Sequence, residues 1–463
     1  MTQKYLKLLS LYLLLCSLPF SLFAQKRTLE DVLEVRLQNI GPVYQGTLVK
    51  GYFMLYFIDR SDDYNKSNFK LVILDEDLNK VAEKSIQEQN DAEITAVSFN
   101  GTSLMAAFYS SKWKELEIRH YDINLKLVNK VLYGLSVFSF YEGERDNIVP
   151  IEQKGFVYYY KNSMEFFPVK GIKAWKNKSK DFDITRYKYL AHSSNILLNT
   201  VTKKSGKRSR PSITYLQGFD PASGKLVFEK EIPMPAHNVK PIQAFRDSTG
   251  NFVVSGIYTD FIDELGAGRA FCKGLFNVKI SEKGEILSQN ESPLKNAASS
   301  SIKIDGKGKI NGANDLYIHN AAYTNDGSVF FIGELFSNYS YLVPQDMFVI
   351  RASADMKALE PYQFKVPDQK VPQLSFRFFE QSDDASGFSF LYKTVEEKGK
   401  KKQENIYIQS TVAGSSSFTQ DKIVLDAEAD FSKVLPAKFG HVFMIDYFKK
   451  AKKLDMRVEK FNH

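Results

Sequence analysis

Cysteine is scarce in this chain. The 463 residues include two cysteines, Cys16 and Cys272, and the first lies in an apolar leader that we expect to be removed. The remaining cysteine has no partner within the chain, which excludes an intramolecular disulfide and the class of small secreted domains that depend on one. Cys272 stands in the strand-like run RAFCKGLF, which favours a buried hydrophobic role over a nucleophilic one.

Recognisable catalytic and metal-binding motifs are also lacking. The sequence has no G-x-S-x-G nucleophile elbow, and its six histidines stand singly, without the close spacing that brings two imidazoles to one metal. The segment DGKGKINGAND, residues 305–315, resembles a calcium loop, but it offers Lys307, Lys309 and Leu316 where oxygen ligands are required. The glycines of GAGRAF, from Gly266, precede a strand instead of a helix. We therefore expect no metal and no cofactor.

The first 24 residues have the pattern of a secretory signal peptide. Lys4 and Lys7 precede an apolar stretch, 8–23, and Ala24 provides a small residue at a cleavage point. The stretch is shorter than the roughly 20 residues of a membrane-spanning helix, and no later stretch approaches that length. The pattern predicts export across the inner membrane, with the mature chain 25–463 in the periplasm, at the cell surface or outside the cell.

Basic and acidic residues nearly balance. The formal net charge is +8, and loss of the leader with its two lysines lowers it to +6. Basic residues concentrate in four runs, 170–180, 203–211, 396–405 and 448–453. Such runs are typical of solvated hairpin tips, and nucleic acid would require one continuous basic face with interleaved aromatic residues, so we expect no nucleic-acid partner. Attraction to an anionic envelope surface or polysaccharide is the alternative.

Aromatic and β-branched residues, in contrast, are abundant and recur in a repeated phrase. Aromatic residues make up 14% of the chain, which suits strands better than helices. A turn followed by a continuous apolar run occurs eight times, with the turn residue at Gly51, Gly101, Gly155, Asn195, Gly250, Gly327, Gly387 and Gly440. Glycine and asparagine tolerate the positive φ of tight turns, and the apolar runs are typical of strands buried on both faces. A repeat of this length indicates a β-propeller or a similar array.

A second phrase follows most of these units. It consists of an alternating strand, a polar turn and a closing strand, as in VKISEKGEIL at 278–287. Asp75, Asp122, Asp220 and Asp355 stand at the entrance of such turns, where a carboxylate can accept backbone N–H groups two residues further on. The alternation predicts outer hairpins that face solvent on one side.

Together the two phrases predict an all-β fold. We expect a single β-propeller domain over 25–463, with eight blades of about four antiparallel strands. Seven blades are the alternative, because the third unit, about 148–175, is short. Residues 29–40 are expected to complete the last blade and so close the ring with the C-terminal strands. A polar insertion at about 292–315 should decorate one face.

On these motifs the chain resembles the uncharacterised secreted β-propeller proteins of Gram-negative-type bacteria, many of them domains of unknown function. The resemblance depends on the leader ending SLFAQ and on the eight turn-plus-run phrases. There is no WD dipeptide, no Kelch double glycine, and no signature of a calcium or quinone propeller. The resemblance implies a fold and a compartment, and it assigns no functional residue.

Two functions follow from these observations. The first is a binding or protein-interaction platform, whose partner would be an envelope protein or an anionic glycan. The second is a glycan- or peptide-processing enzyme with its site in the axial channel, where Arg145, Asp146 and His319 are candidates. A third reading is an envelope component retained by charge. The catalytic residues, if any, are not assigned by the sequence.

Overall fold

The computed structural model of the protein describes residues 25–30, 32–45, 48–134, 147–160, 163–169, 172–178, 184–203, 213–234, 238–259, 271–312, 314–337, 343–366, 376–398 and 401–461. Within these ranges the chain forms 32 β-strands and one 3₁₀ helix, Leu294–Ala297. None of the helical structure in these ranges is long and apolar enough to cross a membrane.

The strands form eight four-stranded blades, here numbered in chain order. Blade 1 contains β2 (Glu34–Gln45), β3 (Leu48–Arg60), β4 (Lys66–Leu74) and β5 (Lys80–Gln89). Blade 2 contains β6 (Glu93–Phe99), β7 (Ser103–Ser110), β8 (Glu115–Asp122) and β9 (Leu127–Gly134). Blade 3 contains β10 (Asn147–Ile151), β11 (Gly155–Tyr160), β12 (Ser163–Pro168) and β13 (Trp175–Lys178). Blade 4 contains β14 (Ile184–His192), β15 (Leu197–Lys203), β16 (Ile213–Phe219) and β17 (Leu226–Glu231).

The second half of the chain repeats the arrangement. Blade 5 contains β18 (Asn238–Arg246), β19 (Phe252–Thr259), β20 (Gly274–Ile280) and β21 (Ile286–Pro293). Blade 6 contains β22 (Asn314–Tyr323), β23 (Val329–Ser337), β24 (Val343–Ala352) and β25 (Leu359–Phe364). Blade 7 contains β26 (Phe376–Gln381), β27 (Gly387–Lys398), β28 (Lys401–Val412) and β29 (Thr419–Val424). Blade 8 contains β30 (Phe431–Pro436), β31 (His441–Phe448), β32 (Lys453–Lys460) and β1 (Gln25–Leu29).

The blades form a closed ring. First strands of most neighbouring blades contact one another, those of blades 8 and 1 included, so the first strands surround the axis. Eight hydrophobic clusters fill the eight interfaces between successive blades. The cluster between blades 8 and 1, for example, joins Phe443 and Met456 to Tyr52 and Val72. Burial of apolar side chains between blades, and not within an isolated blade, is what holds the ring together.

The predicted blade count of eight is confirmed, and the seven-blade alternative is wrong. The short third unit forms a complete blade, because a four-residue strand, Trp175–Lys178, suffices to pair with Ser163–Pro168. The ring closes through the two ends of the chain, but through other residues than expected. The closing strand is Gln25–Leu29, paired antiparallel with β32, whereas Glu34–Gln45 is the first strand of blade 1. The prediction over 29–40 failed because the long apolar pattern there belongs to an inner strand.

Both repeated phrases have the predicted structure. Seven of the eight turn residues lie in the connection between the first and second strands of their blade or at the first residue of the second strand, whereas Gly51 lies inside β3 and pairs with Val43. The aspartates at the outer turns accept backbone N–H groups: Asp75 from Asn79 at 2.8 Å, and Asp122 from Lys126 at 2.8 Å. In VKISEKGEIL the hydroxyl of Ser281 accepts the N–H of Glu285 at 3.1 Å, and Gly284 has φ +82°. The repeated phrase therefore encodes turn geometry.

The polar insertion between β21 and β22 packs apolar side chains against the ring. Leu294, Ala297, Ile302 and Ile310 are buried against the core between blades 5 and 6. In the calcium-like segment the Asp305 carboxylate accepts the N–H groups of its own turn, at 2.8 Å for both bonds. The insertion is thus a packed cap on one end of the ring.

The basic runs are divided between the two ends of the ring. Connections between second and third strands all lie at one end, and the described parts of two runs, 396–405 and 448–453, lie there. The run 170–180 instead includes the outer turn of blade 3 at the opposite end. Most of 203–211 lies outside the described residues.

Candidate functional site in the axial channel

The first strands, which line the axis, are irregular. In blades 2, 4, 5, 6 and 7 the pairing of the first with the second strand skips one residue of the first strand. The skipped residues are Thr95, Leu190, Ile242, His319 and Arg377. A β-bulge changes the direction of a side chain and is frequent next to functional sites. The bulges therefore direct attention to the axis.

A basic side chain stands on the first strand of each of five consecutive blades, 4 to 8. These residues are Lys188, Lys240, His319, Arg377 and Lys433, all half-buried. Four of them contact the next blade. Two do so by hydrogen bonds: Lys188 Nζ donates to Pro241 O (3.1 Å) and Ile242 O (3.3 Å), and Lys433 Nζ donates to Ile40 O (2.8 Å). The other two contact aromatic rings: Lys240 Nζ lies 5.0 Å from the Tyr317 ring centroid, and the His319 ring stacks on Phe376 with centroids 4.6 Å apart. Four of these basic groups thus join neighbouring blades, and Lys433 is the member of the set that lines the cavity described next.

A cavity of about 470 Å³ opens at the axis between blades 8, 1, 2 and 3. Its walls are mainly apolar and come from first strands: Ile40, Pro42, Ile94, Val97, Ile148 and Leu435, with Phe53 from β3. The polar side chains in the wall are Tyr44, Thr95, Ser98 and Lys433. The volume lies within the ~300–1,000 Å³ of small-molecule sites. This cavity is the candidate functional site.

Lys433 provides the charge in this site. Its ammonium donates to Ile40 O across the seam between blades 8 and 1. Burial lowers its pKa from 10.5 to about 8, because the surrounding walls solvate the charged form poorly. The group is still mainly protonated at pH 7, so the cavity carries a positive charge at a place where that charge is costly.

A second titratable group lies buried near the cavity. Glu380, on the first strand of blade 7, accepts the N–H of Ala437 at 3.2 Å through Oε1, while its Oε2 has no hydrogen-bond partner. Burial raises the pKa of Glu380 well above its usual range, because the surroundings solvate the carboxylate form poorly. Burial, and after it Glu380, raises the pKa of Tyr44 in the cavity wall. Burial thus favours the neutral form of the carboxyl group on this side of the cavity.

His319, Glu334 and Arg377 lie close to one another where blades 6 and 7 meet. His319 Nε2 is 3.1 Å from Glu334 Oε2, and the Glu334 side chain is fully buried. Arg377, at the matching bulge of blade 7, has a pKa lowered by burial and raised in part by the charge of Glu334. A buried carboxylate that orients an imidazole is the arrangement of a general base.

The other two catalytic candidates from the sequence lie outside the part of the chain that the structure describes. Arg145 and Asp146 lie outside the described residues, as does His237. His120 is buried beside Ser103 Oγ at 2.9 Å, and His192 accepts or donates a bond with the Tyr189 hydroxyl at 2.8 Å. The described residues contain no group of three or more histidine, cysteine or acidic side chains placed to hold a metal ion.

Cys272 is buried, as the sequence predicted. Its pKa is raised to about 12 by burial, which leaves no reactive thiolate at neutral pH. The surroundings of Cys272 therefore do not support a role as a nucleophile.

Sequence reasoning missed Lys433 in the cavity wall and Glu380 near it. Lys433 and Glu380 stand in short apolar segments, FSKVLP and FRFFEQ, that precede the turn phrases of blades 8 and 7. A charged residue within a strand placed next to the axis is a usable signal, because burial of a charge is unfavourable unless specific contacts compensate for it. The bulges have no comparable signal in the sequence.

A closed ring of eight four-stranded antiparallel blades defines the protein as a β-propeller. The chain belongs to a family described as Family of unknown function (DUF6770), which matches residues 1–343 and 350–462. No curated protein sequence matches the chain significantly.

Solved structures resemble the chain only distantly. The WD40 domain of SCAP from fission yeast has 9% identity and a TM-score of 0.45, covering 94% of this chain and 98% of its own. A prolyl endopeptidase has 12% identity and a TM-score of 0.43, and the alignment covers 90% of this chain but 55% of that enzyme. A quinohemoprotein alcohol dehydrogenase from Comamonas testosteroni has 9% identity and a TM-score of 0.43, covering 93% of this chain and 77% of the enzyme. Similarities at this level assign no activity.

Proposed function

We propose that the protein is a binding module whose ligand occupies the axial cavity between blades 8, 1, 2 and 3. The observation that supports this function is the cavity itself: it has a volume of about 470 Å³ and mainly apolar walls, and among its described lining residues Lys433 carries an ammonium group. Mainly apolar walls with a few directed polar groups are the usual composition of a ligand site. The rigid ring provides a preformed site at low entropic cost.

Two matched alanines allow the cavity to be tested. Ala96 and Ala191 each follow the bulged residue of a first strand, and both are half-buried, but only Ala96 lines the cavity. We expect Ala96→Phe to abolish retention of small molecules that co-purify with the protein, and Ala191→Phe to preserve it. Native mass spectrometry of both variants, with thermal unfolding as a check on folding, measures this. Equal retention by the two variants would remove the cavity as the site.

A second candidate function is hydrolysis of a glycan or peptide, with His319 as general base. The observation in its favour is the short contact between His319 Nε2 and the buried Glu334 carboxylate. Incubation with peptidoglycan fragments and peptide pools should then give products that His319→Gln and Glu334→Gln do not produce. His192→Gln, which alters a half-buried histidine elsewhere on a first strand, is the control. Products that persist in His319→Gln would exclude this dyad.

We further propose that the protein is exported and held at the envelope by its basic loops. The leader pattern supports export, and the exposed lysines Lys449, Lys450 and Lys452 support attraction to an anionic glycan or an acidic envelope protein. A mature N-terminus at Gln25, read by mass spectrometry of the purified protein, and release from cell envelopes at raised salt are the expected results. Retention in the cytoplasm with an intact leader would overturn the proposal.

A further inference from the structure

We infer that the ligand of the axial cavity is a single-chain carboxylic acid, with its carboxylate on the Lys433 ammonium and its hydrocarbon chain along the apolar first strands. This inference rests on the proposed binding function and adds the chemical class of the ligand. It follows from the charge, the walls and the hydroxyl groups of the cavity.

The charge of the cavity favours an anion. Among the described residues that line it, Lys433 is basic and no carboxylate is present. Glu380, the buried acid close to the Tyr44 wall, does not line the cavity, and burial raises its pKa, which favours the neutral carboxyl form. A carboxylate at the ammonium would replace part of the solvation that burial removes, and a charge-assisted hydrogen bond is about twice as strong as a neutral one.

The walls favour a hydrocarbon body. Ile94, Val97 and Ile148 come from blades 2 and 3, and Ile40 and Leu435 come from the seam next to Lys433. The apolar side chains therefore extend away from the ammonium around the axis. A ligand with one anionic end and an apolar remainder matches this distribution, because apolar contact gains free energy roughly in proportion to the area removed from water.

The hydroxyl groups disfavour a sugar. Ser98 Oγ donates to Tyr44 O at 3.3 Å, and Thr95 Oγ1 donates to Ala107 O at 3.4 Å. These donors are engaged with the backbone of the ring itself. A saccharide would bring many hydroxyl groups into a wall that has few polar partners for them, and each unsatisfied polar group is costly to bury.

Lys188 provides a matched control for Lys433. Both lysines are half-buried on first strands, and both donate to a backbone carbonyl of the next blade, at 3.1 Å to Pro241 O and at 2.8 Å to Ile40 O. Lys188 does not line the cavity. Lys433→Met and Lys188→Met therefore remove comparable contacts between blades, whereas only the first removes the charge of the site.

The experiment measures binding of decanoate, decanol and decylamine to the mature protein and to both variants by calorimetry at pH 7. We expect decanoate to bind most tightly, Lys433→Met to weaken it roughly tenfold or more, and Lys188→Met to leave it unchanged. Thermal unfolding of the two variants verifies that each is folded. Decylamine binding as tight as decanoate binding, or equal losses in the two variants, would overturn the inference.

Failure of the inference can be told apart from failure of the binding function. If none of the three probes binds, but a molecule of another class co-purifies and is lost in Ala96→Phe only, the carboxylic acid is wrong and the cavity remains the site. If Ala96→Phe and Ala191→Phe behave alike with every ligand, the binding function itself fails.

Discussion

Lys433 shows how one side chain can be unfavourable for folding and useful for binding. Its pKa of about 8 in the folded chain lies below the 10.5 of a solvated lysine, because burial disfavours the ammonium. Between these two pH values the unfolded chain holds a proton that the folded chain has released, so stability rises with pH in that window. An amine at this position is therefore kept at a cost near neutral pH.

The pH dependence of unfolding tests this account. We expect the free energy of unfolding of the wild type, measured relative to that of Lys433→Met, to rise by roughly 1 to 3 kcal/mol between pH 7 and pH 10. Urea unfolding at several pH values in this range gives the difference directly. Lys433→Arg remains charged throughout, so its stability relative to Lys433→Met should not change with pH. A constant difference between wild type and Lys433→Met would show that the amine is not desolvated.

At the scale of the element, the outer hairpins are fixed by turn chemistry and by contact with the neighbouring blade. Gly284, in the turn of VKISEKGEIL, has φ +82°, and a Cβ there would lie 2.4 Å from Cγ of Phe228 in blade 4. Glycine is therefore required for two reasons. Its backbone conformation disfavours other residues, and the Phe228 ring occupies the space that a Cβ would need. Gly312 has a similar φ of +85°, but a Cβ would meet nothing within 4 Å.

These two glycines separate packing from backbone strain. Gly312→Ala should cost about 1–2 kcal/mol, the penalty of the left-handed conformation alone. Gly284→Ala should lower the free energy of unfolding by the same backbone penalty and by a further ~1–3 kcal/mol, because its Cβ would clash with Phe228. Chemical denaturation of both variants measures the two costs. Equal losses would mean that the Phe228 ring moves aside without penalty.

The elements also show why the sequence predicted the blades but not the site. Turn residues such as Gly250 and Asp220 act locally, within a few residues, so their pattern is readable along the chain. The cavity brings together Lys433 and Thr95, which are far apart in sequence and adjacent only because the ring closes. The bulge at Thr95 likewise depends on pairing with β7, which no local pattern specifies. Convergence around an axis is a property of the assembled ring.

For the whole molecule, stability depends on the seam at blade 8. The strand β1 pairs with β32 over five residues, and Thr28 Oγ1 donates to Asp455 Oδ1 at 2.7 Å. Arg27 Nη1 reaches from this strand to Leu78 O in blade 1 at 2.9 Å. The closing strand thus completes one blade and also contacts the next.

Removal of residues 25–29 should weaken the entire ring. Each backbone hydrogen bond contributes about 0.5–1.5 kcal/mol, so loss of the strand should lower the free energy of unfolding by several kcal/mol in total. We also expect faster hydrogen exchange in β32. Unfolding and exchange monitored by mass spectrometry measure both effects. Lys26→Ala removes the 3.7 Å ion pair between the exposed Lys26 ammonium and the largely buried Asp455 carboxylate, and should lower the free energy of unfolding by less than about 1 kcal/mol. A truncated protein as stable as this variant would show that the seam is held by the other three strands of the blade.

The same seam sets how the molecule responds to mechanical force. Gln25 pairs with Val458, close to the C-terminal end of the described chain, whereas Leu29 pairs with Leu454. A force applied between the two ends therefore loads the hydrogen bonds of β1 one after another, starting with those at Gln25, and does not load them all at once. The ring should open at this seam under low tension, while the other seven blades, each a continuous stretch of chain, remain folded.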